Sequence, residues 1–138
     1  MKSNYKAMVL SCIDPRFQPI VYRYLKRKKL NGKYSSFTIA GSSIGVTAAK
    51  FKKWHKTFWD NFDTSIKLHQ IKKLIVINHH DCGAAKIING NKEFSRINEK
   101  KIHKGSFKKI KKIFKKKYPK LSIELNIISL NGRIEKYK

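Results

Sequence analysis

The sequence has few acidic residues, few cysteines and no long apolar run. Its 138 residues include 33 Lys and Arg but only 8 Asp and Glu, which gives a formal net charge of +25. A chain with this charge attracts anions such as nucleic acids, phosphates and acidic surfaces. Its two cysteines, Cys12 and Cys82, cannot build a disulfide framework and indicate reduced thiols in an intracellular compartment.

The longest apolar runs, such as residues 74–77, have the length of a strand. None approaches the ~20 residues of a membrane-spanning helix. The N-terminal residues lack the apolar core and cleavage site of a secretory signal peptide. We therefore expect a cytoplasmic protein with no transmembrane segment. Because no linker or internal repeat divides the chain, we expect one domain over residues 1–138.

Hydrophobic patterning predicts alternating strands and helices. Short apolar runs predict strands at residues 7–12, 34–40, 73–78 and 121–130, followed by an edge strand at 134–137. Apolar residues at helical spacing predict helices at 17–25, at about 46–69 with a break near 60–63, and at 107–118. This alternation indicates an α/β fold with a short, mostly parallel sheet flanked by helices.

Residues able to bind a metal follow two of the predicted strands. The sequence C-I-D-P-R at 12–16 follows the first strand, and N-H-H-D-C-G at 78–83 follows the third. Ligands of such sheets bind outside the carboxyl ends of the strands, where Cys12, His79 and Cys82 would converge. Two thiolates and an imidazole favour zinc over calcium or magnesium. Three protein ligands leave a fourth position open, as in catalytic zinc sites.

Asp14 and Arg16 stand close to this predicted metal site. Arg16 can hold the Asp14 carboxylate in a bidentate ion pair. Asp14 could then accept a hydrogen bond from a water on the zinc and orient it. Alternatively, Asp14 could become the fourth ligand and close the site.

The two motifs together resemble those of the β-class carbonic anhydrases. The sequence C-x-D-x-R-x-x-P at 12–19 matches the family's first motif, and H-x-x-C-G-A at 79–84 matches the second. Ala40-Gly41 stands where the family has an Asn-Ala-Gly turn, although Ile39 replaces the Asn. The chain is most similar to a short, divergent group with a C-I-D-P-R-F motif.

This resemblance implies reversible hydration of carbon dioxide to bicarbonate by a zinc-bound hydroxide, in a homodimer or a higher homo-oligomer. It implies that Asp14 and Arg16 form the catalytic dyad. Backbone N–H groups around Gly41 or Gly83 are expected to stabilise the developing oxyanion. The residues that the resemblance assigns to one zinc ion per chain are Cys12, His79 and Cys82.

Other residues receive structural interpretations. Trp54, Phe58, Phe62 and Ile66 are expected in the core. His55, His69 and His103 are expected on the surface or on a helix face, without a ligand role. At two of the variable positions within the motifs the sequence departs from the family. Pro15 stands in place of the usual Ser, and His80 in place of a small hydroxyl residue.

The charge supports two further hypotheses. A lysine-rich face is expected on the last predicted helix, and it is either a solvated surface or a non-specific contact for nucleic acid or an anionic membrane surface. Its lysines are Lys108, Lys109, Lys111, Lys112, Lys115 and Lys116. One alternative function is therefore a catalytically weak or inactive zinc protein that binds nucleic acid or a ribonucleoprotein. The other is hydrolysis of a small linear substrate such as carbon disulfide.

Overall fold

Within residues 4–138, which a computed structural model describes, five strands form one sheet. They are β1 (Ala7–Ser11), β2 (Tyr34–Thr38), β3 (Lys73–His79), β4 (Ser122–Ile128) and β5 (Ile134–Tyr137). Their order is β2-β1-β3-β4-β5, with the first four parallel and β5 antiparallel to β4. The predicted α/β fold with a mostly parallel sheet is confirmed.

Five α-helices connect or flank these strands in the same part of the chain. They are α1 (Gln18–Arg27), α2 (Ser43–Thr47), α3 (Lys52–His69), α4 (Gly83–Asn89) and α5 (Arg96–Lys117). Short 3-10 turns at Pro15–Phe17 and Ala49–Phe51 precede α1 and α3. Among the helices of residues 4–138, none has the length and apolar character that a membrane span requires.

The helices cover both faces of the sheet. Side chains alternate in direction along a strand, so successive residues of β1 and β3 enter different cores. Helix α1 packs against one face with Val9 and Ile75, whereas α3 and α5 pack against the other with Leu10 and Val76. Because β3 is covered on both faces and paired on both sides, its apolar sequence is explained by its central position.

The structure corrects the predicted helix at about 46–69. Helix α3 continues through residues 60–63, because Phe62 is fully buried one turn after Phe58 and keeps the inner face of the helix in the core. The polar side chains of Asn61 and Thr64 donate to carbonyl groups of the same helix, four residues earlier. The interruption lies instead at Ala48, whose extended backbone separates α2 from α3. Trp54 was expected in the core but is 37% exposed and stacks on Phe51, with ring centroids 4.6 Å apart.

Two further elements differ from the prediction. Helix α4 was not predicted, since its seven residues are too few to show a helical repeat. Helix α5 begins at Arg96, well before the predicted residue 107, with Ser95 as its cap: the Ser95 hydroxyl accepts a hydrogen bond from the Asn98 N–H at 3.1 Å. These two helices bring additional residues to the carboxyl edge of the sheet.

Candidate metal centre

Cys12, His79 and Cys82 meet at the carboxyl edge of the sheet. Their ligand atoms all lie within 4.8 Å of one another, and the three side chains are buried. Strands β1 and β3 are parallel neighbours with Ser11 opposite Ile77, so Cys12 leaves one strand beside the end of the other. The structure therefore brings together the three residues that the sequence predicted as metal ligands.

A tight turn carries the chain from His79 to Cys82. Asp81 has a φ of +58°, a left-handed conformation that Asp tolerates better than most residues. Cys82 then has an extended backbone and is the N-cap residue of α4. This turn brings the side chain of Cys82 back toward His79.

The hydrogen bonds of His79 leave one ring nitrogen for a metal. Its Nδ1–H donates to the carbonyl oxygen of His80 at 2.7 Å, which fixes the tautomer and leaves a lone pair on Nε2. Nε2 is buried and has no hydrogen-bond partner among the described residues. The Phe17 ring stacks on the imidazole, with the ring centroids 4.0 Å apart, and holds the orientation of the imidazole. An unpaired buried nitrogen facing two sulfurs fits a zinc ion, whose preferred ligands are these donors.

Backbone N–H groups support both sulfur atoms. The Gly41 N–H donates to Sγ of Cys12 at 3.3 Å, and N–H groups in the first turn of α4 support the Cys82 sulfur. A hydrogen bond from the Cys82 thiol, with a smaller contribution from the Gly41 N–H, lowers the pKa of Cys12. The neighbouring Cys12 and burial raise the pKa of Cys82. One thiolate is therefore already favoured at Cys12.

Gly41 is required for this arrangement. Its φ of +81° is unfavourable for other residues, and a Cβ at this position would lie 2.8 Å from the Cβ of Ala84. The residue was expected to stabilise an oxyanion, whereas here its N–H donates to Cys12. By contrast, a Cβ at Gly83 would have no neighbour within 4 Å among the described residues.

Asp14 and Arg16 form the ion pair that the sequence suggested. The Arg16 Nη2 donates to Oδ2 of Asp14 at 2.8 Å, while its Nε and backbone N–H donate to Oδ1 at 3.1 and 2.9 Å. Pro15 lies at the first position of the 3-10 turn that Asp14 caps, where a proline loses no hydrogen bond. Arg16 holds the pKa of the Asp14 carboxyl below its usual value, so Asp14 is an anion.

Arg16 also connects the two strand ends. Its Nη1 donates to a carboxylate oxygen of Asp81 and its Nη2 to the Asp81 carbonyl oxygen, both at 3.1 Å. Oδ2 of Asp14 lies 3.8 Å from Nε2 of His79. Asp14 is therefore paired with Arg16 and has one oxygen directed to the cluster of Cys12, His79 and Cys82.

Sequence reasoning did not identify Glu99, which holds the turn before Cys82. This buried side chain comes from α5, and its Oε1 accepts a hydrogen bond from the Asp81 N–H at 3.0 Å. Its Oε2 accepts from the Cys82 N–H at 2.9 Å and from the His103 Nε2–H at 3.1 Å. Burial alone would raise the pKa of Glu99, but these donors outweigh it and lower the pKa to about 2. Glu99 is therefore a carboxylate that fixes the position of Cys82.

His103 extends this contact into the interior. It is fully buried on the inner face of α5, and its Nδ1 accepts from the Asn78 side-chain amide at 2.9 Å. Asn78 in turn accepts from the N–H and the hydroxyl of Ser43 at 3.2 and 3.0 Å. Because the Glu99 carboxylate can only accept a hydrogen bond, His103 carries its proton on Nε2. Helix α2, strand β3 and helix α5 are connected through these polar side chains.

The five-strand sheet and the cysteine–histidine–cysteine cluster define a protein of the β-carbonic anhydrase type. The chain belongs to the family described as "Putative carbonic anhydrase", whose family model matches residues 1–134.

Similar proteins occur in Rickettsia. An uncharacterized protein of Rickettsia conorii is 27% identical over 129 residues, which cover 93% of this chain and 69% of that protein. One of Rickettsia bellii is 29% identical over 129 residues, covering 93% and 79%.

Solved structures confirm the fold. A carbonic anhydrase from Glaciozyma antarctica superposes with a TM-score of 0.60 at 16% identity, covering 99% of this chain and 83% of that one. A tetrameric β-carbonic anhydrase from Sordaria macrospora superposes with a TM-score of 0.62 at 10% identity, covering 97% and 81%.

Replacement of Glu99 by Gln tests its control of the metal centre. Gln offers only one acceptor oxygen. In either orientation of its amide, the NH2 group therefore faces an N–H donor, that of Asp81 or that of Cys82. We expect Glu99→Gln to weaken zinc binding by about 10- to 100-fold, the usual effect of losing a group that orients a ligand. Competition with a chromophoric chelator measures this, with the exposed Glu93→Gln as the matched control. Equal zinc affinity in both variants would contradict this role.

Proposed function

We propose that this protein catalyses the reversible hydration of carbon dioxide to bicarbonate, with one zinc ion held by Cys12, His79 and Cys82. The observation that carries this proposal is the buried cluster itself, in which an unpaired imidazole nitrogen faces two sulfurs beside an anionic carboxylate. When bound, zinc supplies Lewis-acid chemistry that generates a nucleophile from water at neutral pH.

The ion pair of Asp14 and Arg16 supplies an oriented hydrogen-bond acceptor. Because Arg16 occupies both carboxylate oxygens and is itself tied to Asp81, Asp14 cannot rotate freely. Its Oδ2 retains a second lone pair on the side of the cluster and can accept a proton-bearing group there. The Asp14 side chain is only 16% exposed, so little water competes for this contact.

The proposed substrate site lies at the carboxyl edge, between the turn after β1 and the start of α4. We retain the backbone around Gly83, which opens α4 beside Cys82, as the proposed support for substrate oxygen. The N–H of Gly41 is already used by the Cys12 sulfur, so in this proposal Gly41 supports that ligand and not the substrate.

We further propose that the protein is a homodimer or a higher homo-oligomer. The Sordaria macrospora relative is described as tetrameric. In this chain, Ile13 is 58% exposed directly beside Cys12, an apolar residue that a second subunit would cover.

Zinc analysis tests the proposed ligands. We expect the purified protein to contain one zinc ion per chain, and Cys82→Ser or His79→Ala to lose it, because each variant removes one of three protein donors. His55→Ala is the matched control, since His55 bonds the Ala48 carbonyl on another part of the fold. Inductively coupled plasma mass spectrometry gives the zinc content. Full zinc content in both ligand variants would disprove this site.

Proton release during carbon dioxide hydration tests the proposed reaction. We expect Asp14→Asn to reduce the stopped-flow rate by about 10²- to 10⁴-fold while zinc content is unchanged, because the anionic acceptor is lost. Asp60→Asn, which removes an exposed partner of Lys56, should keep the wild-type rate. A zinc-loaded protein without activity would contradict the proposal. Hydrolysis of carbon disulfide but not hydration of carbon dioxide would favour the alternative substrate.

A specific observation also favours binding of single-stranded nucleic acid. The outer face of α5 exposes five of its six predicted lysines, with Lys111 half-buried. Near the start of α3, the Phe51 and Trp54 rings are stacked with an interplanar angle of 2°, in a concave surface that Lys50, Lys52 and Lys53 also line. Aromatic rings beside cationic groups are the usual features on which unpaired bases stack.

Tryptophan fluorescence tests this second function. Trp59 is only 7% exposed, so quenching by an added oligonucleotide would report on Trp54. Because Trp54 variants lack this reporter, their affinities are compared with that of the wild type by the fluorescence anisotropy of labelled oligo(U). We expect Trp54→Ala to weaken binding of oligo(U) by about 5- to 150-fold, the range for loss of one stacked base, and Trp54→Phe to bind as wild type. Equal affinities of Trp54→Ala and wild type would contradict stacking on Trp54 and would attribute any binding to non-specific attraction by the lysines.

A further inference from the structure

Another concave site lies at the amino-terminal edge of the sheet, opposite the carboxyl edge that carries Cys12, His79 and Cys82. It has a volume of about 450 Å³ and adjoins the starts of β1, β3 and β4 and the end of α1. Small-molecule sites commonly measure about 300–1,000 Å³. We call it the amino-edge pocket; the lysines that line it are Lys6, Lys28, Lys29, Lys33, Lys72 and Lys73.

The charge of this pocket is almost uncompensated. Glu124 is the one acid among the described residues that line it, and its carboxylate accepts a hydrogen bond from Lys73 Nζ at 2.8 Å. The other five lysines have no carboxylate partner within the described residues. A terminal phosphate carries about −1.5 to −2 charges at neutral pH, and each inner phosphate of a linked chain adds about −1, so three linked phosphates come close to balancing five lysines.

Hydrogen bonds hold the backbone around this pocket. The Lys6 N–H donates to the carbonyl oxygen of Lys33 at 2.7 Å, and the Lys33 N–H donates to that of Leu30 at 2.8 Å. The Lys72 N–H donates to Lys6 at 3.3 Å, and the carbonyl of Lys72 accepts from the N–H of Ser122 at 3.0 Å. The backbone that carries the lysines is therefore already ordered before an anion binds, so binding has only to order their side chains.

Lys29 occupies a conformation that favours glycine. Its φ is +61°, and it follows the end of α1, where the N–H of Leu30 closes the turn on the carbonyl of Leu25 at 3.0 Å. Glycine is the usual residue at this position of a helix end. A lysine here is strained, yet it places a fifth cationic group at the pocket. Stabilisation of the α1 dipole does not account for Lys6, Lys33 or Lys72, which lie outside the helices.

We propose that the amino-edge pocket binds a small molecule carrying two or three linked phosphates, as in a nucleoside triphosphate. Lysine ammonium groups bind phosphate oxygens through charge-assisted hydrogen bonds. The apolar residues Ala7, Leu30 and Ile75 underlie the pocket, and the partly exposed Leu30 is the one of these three against which an uncharged part of the ligand can pack. The proposal is independent of the metal centre, which lies at the other end of the strands.

Calorimetric titration with tripolyphosphate and with ATP, at about 150 mM salt, tests this site. We expect the double variant Lys33→Ala/Lys72→Ala to weaken binding of tripolyphosphate by about tenfold or more, as expected for lost hydrogen bonds to charged groups. The control is Lys108→Ala/Lys112→Ala, which removes the same charge from exposed positions on α5. Tighter binding of ATP than of tripolyphosphate would assign the apolar residues to the nucleoside, and equal binding would assign the site to polyphosphate alone.

A second variant separates binding from stability. Lys29→Gly removes the strained conformation, so its thermal midpoint should rise while its affinity for tripolyphosphate falls. Wild-type affinity in Lys29→Gly and in the Lys33/Lys72 variant would overturn the proposal. Equal losses in the pocket variant and the α5 control would also overturn it, because binding would then depend only on total charge.

Discussion

The parallel, in-register pairing of β1 with β3 is the constraint on which the candidate metal centre depends. Ser11 lies opposite Ile77, so the chain leaves both strands at the same edge and brings Cys12 beside His79. Because side chains alternate in direction along a strand, a slip of one residue would turn His79 to the other face of the sheet. The cores on the two faces prevent this slip, since it would also move Ile75 and Val76 into the wrong layers.

A buried polar chain fixes the same edge from the side of α5. Burial of a carboxylate is costly, but Glu99 receives three hydrogen bonds and in return positions the N–H groups of Asp81 and Cys82. His103 and Asn78 continue the chain, and each has its donor and acceptor directions set by the next group. Loss of one member leaves another unpaired, so the chain stabilises only as a whole. The position of Cys82 thus depends on a helix that supplies none of the candidate ligands.

The sequence predicted the cluster of Cys12, His79 and Cys82 because its signal is local: the three residues stand at, or within three residues of, the ends of two apolar strands. Glu99 was missed because its role depends on a partner that only the folded chain brings near. A signal was nevertheless present, since the apolar stripe that begins at Phe107 extends backward at helical spacing through His103 to Glu99. This spacing was not recognised because lysines occupy many of the positions between these residues. Trp54 is an example of the opposite error, a residue that was expected in the core but is partly exposed. Helical spacing places it on the same face as Phe58 and Phe62, but spacing alone does not determine which end of that face the core covers.

The two ends of the sheet differ in how many of the eight acidic residues they carry. Asp14, Asp81 and Glu99 gather at the carboxyl edge, where they fix Arg16 and the turn before Cys82. At the amino edge, Glu124 faces six lysines. A net charge of +25 attracts anions to the whole surface, so attraction alone cannot define a binding site. What distinguishes a site in such a field is concavity and a fixed backbone, because these reduce the entropy that a bound anion and its lysines lose. Of the six lysines on the outer face of α5, Lys109 borders a smaller concavity, of about 180 Å³, whereas six lysines line the cavity of about 450 Å³ at the amino edge.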